Sequence, residues 1–202
     1  MNSPVTIRFA ALKDAAELAE IYAPYVRETA VTFEYEAPSA EAFAQRMEAI
    51  QRRYPFIAAV CGNEIAGYAY ANKFVGRAAY DWAVETSIYV RRGRKKQGVG
   101  KLLYGELEAL LREMHVCNLN ACIACPETED EYLTRNSVDF HAHLGYAMVG
   151  EFHKCGYKFG RWYNMAWMEK HIAPHPDAPL PLVSVNDLGP DILNRFGEEH
   201  RP

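Results

Sequence analysis

One stretch of the chain constrains its fold more than any other. Residues 84–90 are rich in β-branched and aromatic side chains, and they lead through a basic turn at residues 91–96 to Gly98 and Gly100. From residue 102 to residue 111, leucines then recur at the spacing of one helix face. Backbone N–H groups at the start of a helix bind phosphate well. The stretch therefore predicts a strand, an anion-binding loop and a helix that packs on a sheet.

An acid interrupts the apolar pattern of this predicted strand. Glu85 follows Val84 and lies among β-branched and aromatic residues. Burial disfavours the charged form of a carboxyl group and raises its pKa toward neutral, which suits a general base. The alternative is a structural acid that faces inward and is satisfied by the backbone or by a lysine.

Composition limits the partners of the chain. The 202 residues fit one domain with a short tail, and the net charge of -4 gives no overall attraction to nucleic acid or to a membrane. We therefore expect neither partner. No apolar run is long enough to span a bilayer and the N-terminus does not resemble a secretory signal, so a soluble cytoplasmic protein is expected.

The five cysteines do not suggest a disulfide scaffold, and reduced thiols are expected. His115, Cys117, Cys122 and Cys125 invite a metal site. Residues 118–124, however, alternate like a strand, which directs Cys117 and Cys122 to opposite faces of a sheet. We expect no metal.

The remaining pattern predicts an α/β (α+β) domain. Its expected elements are a strand at 6–10, a helix at 12–27, a helix from Ser39 to about 52, a hairpin of 56–60 and 64–71, a strand at 80–90, a helix from 98, a strand at 118–124, a helix at 138–144 and strands at 147–152 and 156–168. This order gives a mixed, mostly antiparallel central sheet of about seven strands with helices on both faces. We expect the domain at residues 1–170, and a proline-containing tail at 171–202 that wraps over the surface or frays.

Four separated segments carry a resemblance to a known family. They read YDWAVETSIYV at 80–90, QGVGKLLY at 97–104, SVDFHAHLGY at 137–146 and GYKFGRW at 156–162. Together they resemble the GCN5-related N-acetyltransferase (GNAT) superfamily, and within it the phosphinothricin and methionine sulfoximine acetyltransferase group. The resemblance covers about residues 5–170 and implies the GNAT fold, with acetyl-CoA as the co-substrate and no metal.

The resemblance also implies where acetyl-CoA binds. The backbone of residues 88–90 would pair with the pantetheine arm, and the amides of residues 96–101 would hold the pyrophosphate. The implied contacts are Ile88, Tyr89, Val90, Lys95, Lys96, Gln97, Gly98, Val99, Gly100, Lys101 and Ser137. Two residues depart from the family pattern: Lys95 stands where Arg or Gln is usual, and Thr134 stands where Asn is frequent.

In such an enzyme, Glu85 would remove a proton from the attacking amine, directly or through water. His141 occupies a helix position where many members carry a tyrosine that protonates the leaving thiolate. An imidazole can serve there as an acid or as part of a relay. The alternative for His141 is a helix residue that faces solvent, which is also our interpretation of His143.

The acceptor site is implied less directly. Arg77 matches a basic position of the group, and Lys158 lies in the matching C-terminal hairpin strand, so both would meet an acidic group of the substrate. Phe33, Trp82 and Tyr157 would wall the pocket. Each aromatic residue is also a candidate for the core. Membership in the group further implies a homodimer.

These expectations describe an acetyl-CoA-dependent N-acetyltransferase that acts on the primary amine of a small amino-acid-like molecule by direct attack. Two alternatives stay open. One is an acetyltransferase that modifies a protein lysine or N-terminus, and the other is a non-catalytic module that binds acyl-CoA.

Overall fold

The computed structural model describes residues 4–94 and 97–196. Its seven strands form one sheet in the order β1-β2-β3-β4-β5-β7-β6. The strands are β1 (Val5–Phe9), β2 (Phe56–Cys61), β3 (Glu64–Lys73), β4 (Ala83–Val90), β5 (Asn118–Cys125), β6 (Ala147–Lys158) and β7 (Arg161–His171). The α-helices are α1 (Ala15–Glu28), α2 (Ala40–Gln51), α3 (Val99–Glu113), α4 (Asn136–His143) and α5 (Pro190–Leu193). The predicted seven-stranded α/β fold is confirmed.

Strands β4 and β5 form the parallel pair of an otherwise antiparallel sheet. Strand β4 pairs with β3 from Val84 to Val90, but it pairs with β5 only from Ala83 to Glu85. Beyond Glu85 the two parallel strands separate. The sheet is therefore open along the second half of β4.

Helices cover both faces of the sheet, as predicted. On one face, the ring of Tyr89 in β4 contacts Tyr22 of α1, with 4.8 Å between ring centroids. On the other face, which carries Thr86 and Ile88, the Thr86 hydroxyl lies 3.4 Å from that of Tyr104 in α3. Alternation along β4 thus directs successive side chains to α1 and to α3.

Local signals placed two helices well. Ser39 caps α2, because its hydroxyl accepts a hydrogen bond from the Ala42 amide at 3.2 Å. Gly98 precedes α3 with a φ of +81°, a conformation that favours glycine. The predicted inclusion of Leu102 in the apolar face of α3 is wrong. Its side chain is 47% exposed, because the buried stripe of α3 runs through Leu103 and Leu107 instead.

The prediction for the last two strands is wrong about where the chain turns. Strand β6 continues to Lys158, and the turn lies at Phe159 and Gly160, with φ angles of +51° and +73°. Two positive φ angles at a two-residue loop match the twist of a hairpin. The polar stretch before Gly156 is instead an irregularity in the register of β6, centred near Lys154.

The described part of the tail packs against the domain. The ring of Phe196 lies 5.0 Å from that of Phe9 in β1, and Val185 is fully buried. The indole nitrogen of Trp82 also donates to the Leu180 carbonyl at 2.7 Å. The tail therefore wraps over the domain and covers its core, while a domain boundary at residue 170 stays a prediction. Within the described ranges, no helix combines the length and apolar character needed to cross a bilayer.

Candidate active site

The separation of β4 from β5 leaves a cleft next to Glu85. The amide of Arg91 donates to the backbone of β3, whereas the N–H and C=O of Val90 both meet the hydroxyl of Tyr25. Main-chain groups of an antiparallel strand alternate between its two sides. Ile88, two residues before Val90, therefore directs its N–H and C=O into the cleft. The Tyr25 hydroxyl already bonds the corresponding groups of Val90.

The N-terminus of α3 lies beside this cleft. The Leu102 amide donates to the Gly98 carbonyl at 3.1 Å and closes the first turn. The amides of Val99, Gly100 and Lys101 consequently lack acceptors within the helix, as at every helix start. The positive end of the helix dipole adds to their attraction for an anion.

Gly100 also permits close packing of two helices. A Cβ atom at this position would lie 3.0 Å from the ring of Phe140 in α4 and 3.5 Å from the side chain of Ile88. The glycine therefore lets α4 approach the start of α3. This contact links the anion-binding turn to the helix that carries His141.

The arginines of the basic turn serve the fold. Arg91 pairs with Glu17 at 2.7 Å, Arg94 pairs with Glu64 at 2.8 Å, and Arg92 pairs with Glu28. These pairs attach the turn to α1 and to β3, and they offset the positive charge of the three arginines. The predicted phosphate contacts Lys95 and Lys96 lie outside the described residues. Lys101 is exposed, and the Gln97 side chain donates to the Gly93 carbonyl at 3.2 Å.

Glu85 lies at the junction of three strands. It is directly opposite Asn72 in β3 and Asn120 in β5, and it is half-buried. Burial alone raises the pKa of its carboxyl group above the usual value. Within residues 4–94 and 97–196, no side chain or amide donates a hydrogen bond to this carboxylate. Its lone pairs are thus available to a proton of a bound molecule.

Cys122 is a neighbour of Glu85 that sequence reasoning missed. It lies on the same sheet face as Asn120, two residues farther along β5. Burial raises the pKa of its thiol to about 12, and the nearby Glu85 adds to the shift. The thiol therefore stays protonated at neutral pH and is a poor nucleophile. The two-residue spacing between Asn120 and Cys122 in a predicted strand was the sequence signal that puts both side chains on one sheet face.

His141 is an internal residue of α4. Its side chain is buried, with 3% of the residue exposed. Its Nδ1 lies 2.7 Å from the Ser137 carbonyl, and its Nε2 lies 3.0 Å from the Tyr104 hydroxyl. Burial lowers the pKa of this imidazole, which favours its neutral form. The alternative of a solvent-facing His141 is wrong, whereas His143 is exposed as expected.

The contacts of His141 extend to β4 through hydroxyl groups. The Tyr104 hydroxyl lies 3.4 Å from that of Thr86, which in turn lies 3.1 Å from the Tyr146 hydroxyl. Thr86 directly follows Glu85, at the point where β4 and β5 separate. Sequence reasoning missed this network, because Tyr104 falls on the apolar stripe of α3 and its polar end gives no periodic signal.

The loop between α1 and α2 lies against the β6–β7 hairpin. The Phe33 ring stacks near the Tyr163 ring. A Cβ atom at Gly156 would lie only 2.1 Å from the Phe33 ring. Lys158 is 2% exposed, and its ammonium group donates to the Thr32 carbonyl at 2.7 Å. These contacts fix the loop as a wall across one end of the sheet.

A cavity of about 300 Å³ lies between α1, α2, β3 and β4. The aromatic side chains that line it include Tyr22, Phe43, Tyr68, Tyr70 and Tyr89. Asn72, the cross-strand neighbour of Glu85, also lines the cavity, which therefore adjoins the cleft. This cavity was not predicted, although Tyr68 and Tyr70 alternate with small residues along β3.

A sequence profile described as an acetyltransferase (GNAT) domain matches residues 7–167. The chain belongs to this family. The predicted family is thereby confirmed.

Two characterised relatives cover nearly the whole of the GNAT domain. A phosphinothricin N-acetyltransferase from Streptomyces viridochromogenes is 32% identical over 182 residues, which is 90% of this chain and 96% of the relative. An L-methionine sulfoximine/L-methionine sulfone acetyltransferase from Salmonella typhimurium is 28% identical over 86% of this chain and 99% of that protein. The similarity therefore extends well beyond the matched motifs.

A solved structure shares the architecture of this GNAT chain. It is a phosphinothricin acetyltransferase from Sinorhizobium meliloti in complex with acetyl-CoA, with a TM-score of 0.77 and 29% identity. The alignment covers 88% of this chain and 96% of the other. Among the described residues, no group of three or more His, Cys, Asp or Glu side chains is arranged to hold a metal ion.

The structure separates the five residues predicted to bind the substrate. Phe33 and Lys158 lie in the contact between loop and hairpin, whereas Tyr157 is 47% exposed near the hairpin turn and packs on Trp162. Trp82 lines a second groove of about 840 Å³, and the exposed Arg77 precedes a short turn beside that groove. Their roles as substrate contacts stay predictions.

Proposed function

We propose that this GNAT enzyme transfers the acetyl group of acetyl-CoA to the primary amine of a small amino-acid-like compound, of the phosphinothricin or methionine sulfoximine type. The observation that carries the proposal is the position of Glu85. This half-buried acid has a raised pKa and is the last residue of β4 that pairs with β5. The carboxylate therefore lies where an extended ligand in the cleft ends.

Acetyl-CoA fits the cleft by its shape and its hydrogen-bonding groups. The pantetheine arm contains two amides, which pair with the main chain of Ile88 as an added strand would. The amides of residues 99–101 and the helix dipole of α3 receive the pyrophosphate. Ser137 near the start of α4 is proposed as a further contact. The complex of the Sinorhizobium relative with acetyl-CoA supports acetyl-CoA as the ligand.

The reaction is a single displacement. Glu85 accepts a proton from the ammonium group, directly or through water, and the amine nitrogen attacks the thioester carbonyl carbon. A C–N bond forms, a tetrahedral intermediate collapses, and the C–S bond breaks to release the CoA thiolate. The thiolate takes up one proton, which balances the proton lost by the amine. Because the thiol of Cys122 stays protonated, direct attack is favoured over an acyl-cysteine intermediate.

His141 contributes through its contacts. Its Nε2 bonds the Tyr104 hydroxyl, which lies near Thr86 on β4. We therefore propose that His141 orients Tyr104 and Thr86 beside the thioester, and that the proton for the thiolate travels along these hydroxyls. Direct donation by the buried imidazole would require breaking one of its two hydrogen bonds.

The walls of the site favour a small acceptor over a polypeptide. Contacts of Phe33 with Gly156 and of Lys158 with Thr32 join the loop to the hairpin. The Tyr35 hydroxyl adds a bond to the Tyr157 carbonyl at 2.5 Å. A protein substrate needs a groove that is open at both ends, and these contacts close one end. A peptide acceptor remains the second outcome that the assay below tests.

We also propose a homodimer. The β6–β7 hairpin exposes large apolar side chains, including Val149 and Phe152 at 61% each and Trp162 at 60%. Contiguous exposed apolar surface is typical of an interface between copies. Light scattering on the purified protein tests this proposal, and a monomer at micromolar concentration would contradict it. A cytoplasmic location also stays a prediction.

Thiol release from acetyl-CoA tests the proposed function. We expect saturable CoA release with one or more amino acids, sulfoximines or phosphinates, and no release with a lysine-containing peptide. Release with the peptide alone would favour the protein acetyltransferase. Tight acetyl-CoA binding by calorimetry without turnover of any amine would favour the non-catalytic module.

A further inference from the structure

We propose that the Tyr25 hydroxyl competes with the pantetheine arm of acetyl-CoA for the main chain of Val90, and that the arm displaces this hydroxyl when it binds. The inference rests on the proposed function, because it concerns the same cofactor cleft. It goes further by giving a side chain of α1 a role in setting the affinity for acetyl-CoA and for the product CoA.

Ile88 and Val90 present equivalent main-chain groups to the cleft. They lie two residues apart on β4, and both direct their N–H and C=O away from β3. The strand-like pairing that we propose for the arm at Ile88 can therefore extend to Val90. At Val90, however, the Tyr25 hydroxyl donates to the carbonyl at 2.5 Å and accepts from the amide at 3.3 Å. The hydroxyl thus occupies the groups that an amide of the arm would bond.

Packing holds the Tyr25 hydroxyl at this position. Tyr25 is 6% exposed, and its ring meets the Tyr89 ring edge-on with 5.3 Å between centroids. Burial raises the pKa of the Tyr25 phenol, so the hydroxyl keeps its proton at neutral pH and can donate it. A hydrogen bond of this kind changes an equilibrium constant by about two- to tenfold. The arm has to offset that factor when it takes over Val90.

The last turn of α1 is suited to a small movement of this hydroxyl. Pro24 directly precedes Tyr25 inside the helix and has no N–H, so the bond that residue 24 would donate to the Glu20 carbonyl is missing. The turn after Pro24 is therefore less tightly bonded to the rest of α1. The same turn carries Glu28, which pairs with Arg92 of the basic turn. Because the nucleotide half of CoA can act on Arg92, the test has to separate the nucleotide from the arm.

Calorimetry with three ligands tests this competition. Tyr25→Phe removes the hydroxyl and keeps the ring, so acetyl-CoA and CoA should each bind about two- to tenfold more tightly than to the wild type. 3′-Phosphoadenosine 5′-diphosphate, the nucleotide half of CoA, has no arm and should bind both proteins equally. Equal or weaker binding of acetyl-CoA by Tyr25→Phe would overturn the inference. An equal gain for the nucleotide would also overturn it, because the effect would then come from the basic turn.

Tyr22→Phe is the matched control. Tyr22 lies three residues earlier in α1, and its ring also meets the Tyr89 ring edge-on. Its hydroxyl contacts Thr32 and Glu34 instead of the main chain of β4. We therefore expect Tyr22→Phe to bind acetyl-CoA with the affinity of the wild type. A gain as large as that of Tyr25→Phe would show that loosening α1 is sufficient, which would contradict the competition.

Thermal unfolding separates this competition from a structural role of Tyr25. Without ligand, Tyr25→Phe should have a lower thermal midpoint than the wild type, because the bond to Val90 is lost. At the same saturating concentration of acetyl-CoA the two midpoints should converge, since the bound wild type has also given up that bond. A difference that persists undiminished at saturation would overturn the inference. Absence of acetyl-CoA binding by every variant and by the wild type would instead contradict the proposed function.

Discussion

The Nε2 atom of His141 lies 3.0 Å from the hydroxyl of Tyr104, deep beneath the surface of α4. The opposite ring nitrogen lies 2.7 Å from the Ser137 carbonyl, which can only accept, so Nδ1 carries the proton and Nε2 accepts from Tyr104. Both nitrogens are therefore satisfied in the neutral imidazole. Protonation at Nε2 would displace the Tyr104 donor, which agrees with the lowered pKa of His141.

The stability of the protein should depend on pH through His141. Its pKa is lower in the folded state than in the unfolded chain, so acid protonates the unfolded state first. The stability that its neutral form contributes is present above about pH 6.5 and is lost as the pH falls below that value. We expect the thermal midpoint of the wild type to fall more between pH 7.5 and 5.5 than that of His141→Gln. Parallel curves would contradict this assignment, and His143→Gln is the exposed control.

Replacing Glu85 by glutamine should remove the base and spare the cofactor site. We expect kcat/KM to fall by about 10²–10³, the usual contribution of a general base. The wild-type rate should rise with pH as Glu85 loses its proton, around its raised pKa. The variant should not show this rise. Calorimetry should show acetyl-CoA binding within about twofold of the wild type. A variant with full activity and an unaltered pH profile would exclude Glu85 as the base.

The same substitution should stabilise the protein at neutral pH. Because the pKa of Glu85 is raised on folding, its protonated form favours the folded state, and that contribution is lost as the pH rises through the folded pKa. Glu85→Gln should therefore have a higher thermal midpoint than the wild type at pH 7.5, with a smaller difference at pH 4. A lower midpoint at pH 7.5 would show that the carboxylate has a stabilising partner.

Gly156→Ala should disturb the wall of the acceptor site. The new Cβ atom would lie 2.1 Å from the Phe33 ring, so the ring or β6 must move. Such overpacking costs about 1–3 kcal/mol, so we expect a lower thermal midpoint than in the wild type. We also expect the KM for the acceptor to rise more than the KM for acetyl-CoA. Gly150→Ala, where a Cβ would meet no atom within 4 Å, is the control in the same strand. Equal effects of the two substitutions would rule out the Phe33 contact as the cause.

Two glycines of α3 offer a matched test of the cofactor site. Gly100→Ala would bring a Cβ within 3.0 Å of Phe140, whereas Gly105→Ala meets no atom within 4 Å. Gly105→Ala should gain about 0.5–1 kcal/mol of stability from the helix propensity of alanine. Gly100→Ala should forfeit that gain and weaken acetyl-CoA binding, measured by calorimetry. Similar affinities in both variants would show that Gly100 has no role in shaping the turn.

Several parts of this protein follow from short-range patterns. Ser39 is a typical N-cap residue and precedes α2, and Gly98 precedes α3. Glu85 is an acid within an apolar strand. The site was predicted less completely. Cys122 shares a face of β5 with Asn120, two residues earlier, but only the sheet register, which pairs Asn120 with Glu85, brings that face beside Glu85.

The sequence by itself determined the order of strands and helices, the glycine turn that leads into α3, the family and the choice of Glu85 as the candidate base. These features depend on periodicity, capping and turn chemistry, which act over a few residues. Only the tertiary structure decided that β4 and β5 separate after Glu85, that Tyr104 bonds His141, and that Glu34 pairs with Arg46. Those relations depend on packing between residues distant in the chain, where burial sets the strength of each charge and each hydrogen bond.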